Sequence, residues 1–129
     1  MAIISVEFAG DSRFKSQIRK HRIDIDLTPD LKGTDTGPMP PELVVLGLAS
    51  CMGYYILFYC RRNNISAEGL KIEAEFEKAK NPDRISKINV RFHLPGITEQ
   101  HKSGVIKAAE GCLVHQTFIH KPEINIALY

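Results

Sequence analysis

The stretch that decides the fold is Leu43-Val44-Val45-Leu46-Gly47-Leu48-Ala49-Ser50-Cys51-Met52-Gly53-Tyr54-Tyr55-Ile56-Leu57-Phe58-Tyr59-Cys60, eighteen residues without a charge. Pro40 and Pro41 precede it, and proline suits a first helical turn, where the amide it lacks would be unpaired. Glu42 places a negative charge at the positive end of the helix dipole. Arg61, Arg62, Asn63 and Asn64 supply cations and a stop at the other end. The stretch therefore reads as one long helix. On length alone it qualifies as a membrane span. Gly47, Ser50 and Gly53 interrupt it, however, and the flanking sequence is rich in amphipathic strands that need something to cover. A helix apolar all round is buried either in lipid or in a protein core. A protein core is the expectation here, with a second copy of the chain adding to it, and no membrane partner.

Working outward, Ile4, Val6 and Phe8 alternate with Ile3, Ser5 and Glu7, which predicts a strand over 2–8. Gly10-Asp11-Ser12 signals a turn, and 13–19 is a candidate second strand. Ile23, Ile25 and Leu27 oppose Arg22, Asp24 and Asp26 in a third, and Thr28 to Pro38 is a loop. Beyond the helix, Leu70, Ile72, Ala74 and Phe76 oppose Lys71, Glu73, Glu75 and Glu77. After the turn Asn81-Pro82-Asp83, Ile88, Val90, Phe92 and Leu94 oppose Lys87, Asn89, Arg91 and His93. The two runs predict a hairpin with one wet and one packed face. Thr98 can cap a helix to about Glu110, with Val105, Ile106 and Ala109 inward and Gly111 as its stop. A short helical turn follows Cys112, and Ile124, Ile126 and Leu128 form a last strand. Segregated strands and helices of this kind indicate α+β, with antiparallel sheets around a long buried central helix, in one domain over 1–129.

Bulk properties narrow the function. A chain of 129 residues can bury a real core, and 43% hydrophobic with 25% charged residues is ordinary for a globular protein. A net charge of +2 is too small to point to nucleic acid or an anionic membrane. The basic run Arg13, Lys15, Arg19, Lys20, Arg22 meets Asp24 and Asp26 at once and reads as a solvated strand face. The amino terminus lacks the basic region and long apolar run of a signal peptide. Three cysteines is an odd count for a disulfide framework, so reduced or redox-active thiols in the cytoplasm are expected.

Cys51 and Cys60 lie nine residues apart on one helix, on opposite faces and ~13 Å apart along the axis. That exceeds the about 7 Å limit between disulfide α-carbons. Cys112, far off in sequence, is free to approach either one. The thiols admit three readings. They are small buried hydrophobes, or metal ligands, or redox groups. Cys112 and His115 have ligand spacing, with His120 near, but a zinc site wants two close pairs and Cys51 has no second ligand beside it. No metal or cofactor is expected. Redox chemistry needs an activated thiolate, a resolving thiol and a cation that favours the thiolate. Arg13, Arg19 and Arg22 are the candidate cations, and Glu42 could orient one by bidentate pairing. Glu42 is also nine residues from Cys51 and faces away from it on a straight helix. A site that uses both draws on two chains or bends the helix start; otherwise Glu42 is simply a charge at the helix amino terminus.

The run Gly37-Pro38-Met39-Pro40-Pro41-Glu42-Leu43-Val44-Val45-Leu46-Gly47-Leu48-Ala49-Ser50-Cys51 resembles the central helix of the OsmC/Ohr family. Gly111-Cys112-Leu113-Val114-His115-Gln116-Thr117-Phe118 resembles that family's carboxyl-terminal C-x-V-H-x-T-L element. The resemblance implies a thiol-dependent peroxidase acting on organic hydroperoxides or hydrogen peroxide. In it Cys51 is the peroxidatic thiol, Cys112 the resolving one, and Glu42 and Arg13 complete the site, with Arg19 the second choice of arginine. It also implies an intertwined homodimer with two sites drawn from both chains, reduced by a lipoyl protein, a thioredoxin-like protein or a small thiol. The chain departs from the family's well-characterised hydroperoxide reductases in one respect: their glutamate lies one position earlier, where Pro41 stands here. The alternative on the same fold is a binding protein that holds an acyl chain or a small thiol such as coenzyme A against Leu48, Met52 and Tyr55.

Overall fold

The alternating amino-terminal residues build a three-stranded antiparallel sheet in the computed structural model, which describes residues 2–129. Its strands are β1 (Val6–Phe8), β2 (Phe14–Ile18) and β3 (His21–Ile25), in that order. Register places Val6, Ser16 and Ile23 side by side, and Phe8, Phe14 and Ile25 beside them on the same face. The Phe8 and Phe14 rings meet edge to face at 5.9 Å, a favoured aromatic geometry. Glu7, Lys15 and Asp24 share the other, charged face. The turn at Gly10 and Asp11 uses positive φ at both residues (94° and 52°), which glycine and aspartate tolerate best.

A long helix follows, α1 (Pro40–Arg62), unbroken from end to end. Glu42 reaches back to accept the Met39 amide at 2.8 Å, half of a capping box. Asn64, at φ 54°, ends the helix in the left-handed region. Next come β4 (Lys71–Ala79) and β5 (Arg84–His93), a two-stranded antiparallel hairpin with a bulge at Glu77/Lys78. Ile72, Ala74 and Phe76 pair with Phe92, Val90 and Ile88 on one face, as the alternation requires. A 3-10 turn (Glu99–His101) leads into α2 (Lys102–Glu110), and α3 (Leu113–Ile119) closes the set.

Contacts divide the chain into two compact units, Met1–Val44 and Val45–Tyr129. The hydrophobic core belongs to the second. Leu48, Met52, Ile56 and Cys60 form one stripe of α1 at every fourth residue, clustered with Leu94, Val105, Ala109 and Cys112. Ile88, Val90 and Phe92 from β5 pack against this cluster. Each fully buried aliphatic side chain contributes about 1.5–3 kcal/mol.

Several expectations about details are corrected. The central helix, buried along one stripe, leaves Leu46, Tyr54 and Phe58 exposed in the single chain (62%, 60% and 45%), the surface a second copy is expected to cover. By length and composition it could cross a membrane, yet its buried stripe sits in the protein core. Residues 124–128 form no strand, because their alternating Ile124, Ile126 and Leu128 find no partner strand among the described residues. Thr98 makes no side-chain cap and precedes the 3-10 turn instead. Ile106 points outward at 52% exposure, which leaves Val105 and Ala109 as the inner residues of α2. Gly111 ends that helix at φ −79°, a conformation open to any residue.

Candidate functional site

The middle of α1 presents Cys51 immediately before the buried Met52, at the margin of the core stripe and half-buried. Cys112 is wholly buried (0% exposed) in the link between α2 and α3. Two residues from distant parts of the sequence thus become neighbours: Cys51 packs against the core cluster that contains Cys112, close enough to influence its thiol. Both are free thiols, as is Cys60, which is sealed in the core.

Burial pushes the Cys112 thiol up, because the anion would lose its hydration, and the neighbouring Cys51 sulfur pushes it further the same way. The backbone amide of His115 acts against this by donating to the Cys112 sulfur at 3.3 Å. Cys112 therefore keeps its proton, and its neighbour Cys51 is the more exposed of the two. Burial alone raises the Cys60 thiol. The local cause of the Cys112 geometry is its place as the residue before α3: its backbone is extended (φ −65°, ψ 148°) and its side chain occupies the capping position that serine or aspartate usually fills. His115 is fixed in turn, its Nδ1 paired with the Glu110 carbonyl at 2.6 Å, and Gln116 Nε2 donates to the same oxygen at 2.8 Å.

Arg13 and Glu42 fall in the first unit and the two thiols in the second. Arg13 closes the β1–β2 turn, where its amide donates to the Gly10 carbonyl and its Nη2 lies 3.5 Å from Asp11. Its Nε is buried without a hydrogen-bond partner. Arg19 sits in the β2–β3 turn at φ 55°, and its carbonyl accepts from Gln17. Arg22 pairs with Asp24 at 3.1 Å on the charged sheet face. Glu42 is occupied in capping α1, which runs as one continuous helix from Pro40 to Arg62. Among the described residues no group of three or more His, Cys, Asp or Glu side chains is placed to hold a metal.

The sequence reading assigned Asp26 to the wet face of its strand. The structure instead ends β3 at Ile25 and buries Asp26 at 1% exposure. Its carboxylate accepts the hydroxyls of Ser12, Thr34 (2.8 Å) and Thr36 (2.7 Å), and the amides of Leu27 (2.7 Å), Thr34 (3.3 Å) and Thr36 (3.0 Å). The Ser12 hydroxyl first, then that of Thr36, hold it far below the usual carboxylate range, against the opposing effect of burial. This carboxylate organises the 27–38 loop that leads into α1. The loop's close return is marked by Gly33 and Gly37, where an added Cβ would collide with the backbone of Leu27 and Asp24. The available signal was Thr34-Asp35-Thr36 within ten residues of an aspartate at a strand end.

The profile of the OsmC-like protein family matches residues 33–127. A protein from Psychrobacter arcticus 273-4, named for an osmotic stress induced and detoxification response, shares the fold with a TM-score of 0.84. It is 23% identical over 91% of this chain and 88% of its own. An OsmC-like protein from Mycoplasma pneumoniae follows at 0.78, 19% identical over 92% and 87%. An organic hydroperoxide resistance protein OsmC from Legionella pneumophila stands at 0.67, 18% identical over 90% and 87%. No curated protein matches the sequence significantly. The structural likenesses, at these identities, establish the α+β fold with its antiparallel sheets and long helix. The family profile, which spans well over half of the sequence, establishes that the chain belongs to the OsmC-like protein family.

Proposed function

We propose that this protein is a thiol-dependent peroxidase of hydroperoxides. The observation that carries the reading is the Cys51–Cys112 pair: one half-open thiol beside one fully buried, protonated thiol. The Cys51 thiolate attacks the outer oxygen of ROOH, which breaks the O–O bond and makes Cys51 a sulfenic acid; the departing RO⁻ takes up the proton that Cys51 gave up on ionising and leaves as ROH. Cys112 then attacks the Cys51 sulfur. The S–O bond breaks, the disulfide forms, and the thiol proton leaves with the hydroxyl as water. An external dithiol restores both thiols and is itself oxidised. Cys112, held as the neutral thiol, is the weaker nucleophile toward peroxide, which supports Cys51 as the first to react.

Arg13 and Glu42 enter this reading as groups that favour the Cys51 thiolate and orient one another. Because nine residues of helix place Glu42 half a turn from Cys51, the reading has them serve the site from a second copy of the chain. Support for a homodimer comes from the exposed apolar residues Leu46, Tyr54 and Phe58 on α1 and Ile124, Ile126 and Leu128 in the tail.

A binding role has weaker support. Leu48 and Met52 are sealed in the core, so they cannot line a ligand site. The apolar groove that does adjoin α1, lined by Ser50, Gly53, Tyr54, Leu57, Ala67 and Leu70, is shallow and holds about 240 Å³. Ligand pockets usually measure about 300–1,000 Å³.

One equivalent of cumene hydroperoxide added to the reduced protein tests the reading. Two of the three thiols should disappear in the wild type and none in Cys51→Ser. Survival of all three in the wild type would refute it.

A further inference from the structure

α3 has only seven residues and no fully buried side chain, and Leu113, Phe118 and Ile119 are 67%, 47% and 58% exposed. Helices this short are not stable by themselves. What anchors α3 lies at its amino end. The Cys112 sulfur accepts the His115 amide, the Cys112 carbonyl accepts the Gln116 amide at 2.9 Å, and the Glu110 carbonyl holds the His115 ring and the Gln116 side chain. The cap is thus a sulfur that also meets Cys51. One atom has two tasks. As a thiol it accepts the His115 amide at 3.3 Å with Cys51 as its neighbour. As half of a disulfide it must close to about 2 Å from the Cys51 sulfur with a fixed dihedral angle. That movement draws it off the amide.

Resting on the peroxidase reading of the same site, we propose that α3 is a redox-sensitive element: capped and ordered in the dithiol form, uncapped and loosened once Cys51 and Cys112 are joined. The device answers a problem of access. Cys112 is completely buried, so while α3 stays in place a dithiol reductant has only the half-buried Cys51 sulfur to attack. Loosening residues 113–119 opens the approach only when there is a disulfide to reduce. The Glu110 carbonyl contacts are unaffected by the thiol chemistry and guide the segment back after reduction. Oxidation requires a hydroperoxide or another two-electron thiol oxidant, and the return requires a dithiol.

Amide hydrogen exchange on the full chain tests this. The protein is compared after dithiothreitol, after one equivalent of cumene hydroperoxide, and after diamide. Amides of 113–119 should exchange at least tenfold faster in the disulfide form, with β4 and β5 unchanged, and dithiothreitol should restore protection. Without any oxidant, Cys112→Ala should already lose protection at α3, whereas Cys112→Ser should keep it, since serine is a capping residue. Equal protection in dithiol and disulfide forms, or a Cys112→Ala protein as protected as wild type, overturns the proposal. Failure of the peroxidase reading is separable. If hydroperoxide leaves three thiols but diamide makes the Cys51–Cys112 disulfide, the activity falls and exchange on the diamide product still decides the uncapping. If neither oxidant joins the two cysteines, the proposal falls as well.

Discussion

Thr36 donates twice to Asp26, through its amide at 3.0 Å and its hydroxyl at 2.7 Å, and the carboxylate that receives both is 1% exposed. The folded state holds Asp26 ionised far below the usual carboxylate range, while an unfolded aspartate titrates near pH ~3.9. The unfolded state therefore binds the proton more readily. The resulting stabilisation is present above about pH 4 and declines as pH falls from there toward the folded value. Urea midpoints at pH 6 and pH 3 should show a loss in the wild type that Asp26→Asn largely lacks. The variant should be less stable than wild type at pH 6, because an amide cannot accept all six donors. An unchanged acid dependence in Asp26→Asn would mean that other carboxylates control it.

The buried thiols carry the opposite sign. Cys60 and Cys112 are both raised above the usual thiol range, so the folded state favours the protonated form. Their contribution is full below the unfolded thiol pKa of about 8.5 and is lost as pH rises above it. Stability should fall between pH 8.5 and 10, and less so in Cys60→Ala, whatever its absolute stability. Short iodoacetamide labelling of reduced protein at pH 8 should modify Cys51 first, with three adducts only after urea. Prompt native labelling of Cys60 would contradict the sealed core.

Ile56 is 0% exposed at the centre of the α1 stripe. Truncation to alanine removes its apolar burial and leaves a cavity, at a cost of about 2–5 kcal/mol. Equilibrium urea unfolding of Ile56→Ala should show this as a lower midpoint with an unchanged slope. A loss below 1 kcal/mol would show that the site collapses around the gap.

Gly104 on α2 faces Tyr59 on α1 so closely that an added Cβ would overlap the phenol ring and its oxygen. That oxygen is fixed at 2.9 Å from His101 Nδ1, so the ring is not free to yield. Gly104→Ala should cost about 1–3 kcal/mol through overpacking, despite alanine's better helix propensity. Tyr59→Leu combined with Gly104→Ala should cost less than the sum of the two single changes. Strict additivity in that cycle would rule out the contact as the cause.

Much of this fold is legible in the sequence where a local pattern has a local partner. The alternation in Ile72-Glu73-Ala74-Glu75-Phe76 fixes which side of β4 is packed, because β5 lies just across the Asn81-Pro82-Asp83 turn. Pro40, Pro41 and the Arg61–Asn64 cluster mark the ends of α1 to within a residue or two. The pattern fails where the partner is not local. Ile124, Ile126 and Leu128 carry a strand's alternation but have nothing to pair with among the described residues. Absence of charge in 43–60 shows a helix in apolar surroundings and does not reveal that one stripe alone is enclosed by this chain. At the candidate site, helical spacing separates Cys51 from Cys60, and the fold then brings Cys112 beside Cys51. Asp26 escaped because alternation reports only side-chain direction. Five of the six donors around it come from a loop whose path is set by two glycines and two threonines rather than by periodicity, and the sixth, the Ser12 hydroxyl, comes from the β1–β2 turn.

The every-fourth-residue stripe Leu48, Met52, Ile56, Cys60 also constrains how this helix can change by insertion or deletion. Each added or deleted residue rotates everything beyond it by about 100°. Loss of one residue between Leu48 and Cys51 would either misalign the core below or, if the core kept its register, swing the thiol a quarter-turn or more away from Cys112. Substitutions that keep side-chain size are tolerable along α1, but length changes within it are not. The distance in residues from the core stripe to the thiol is therefore as much a part of the site as the thiol itself.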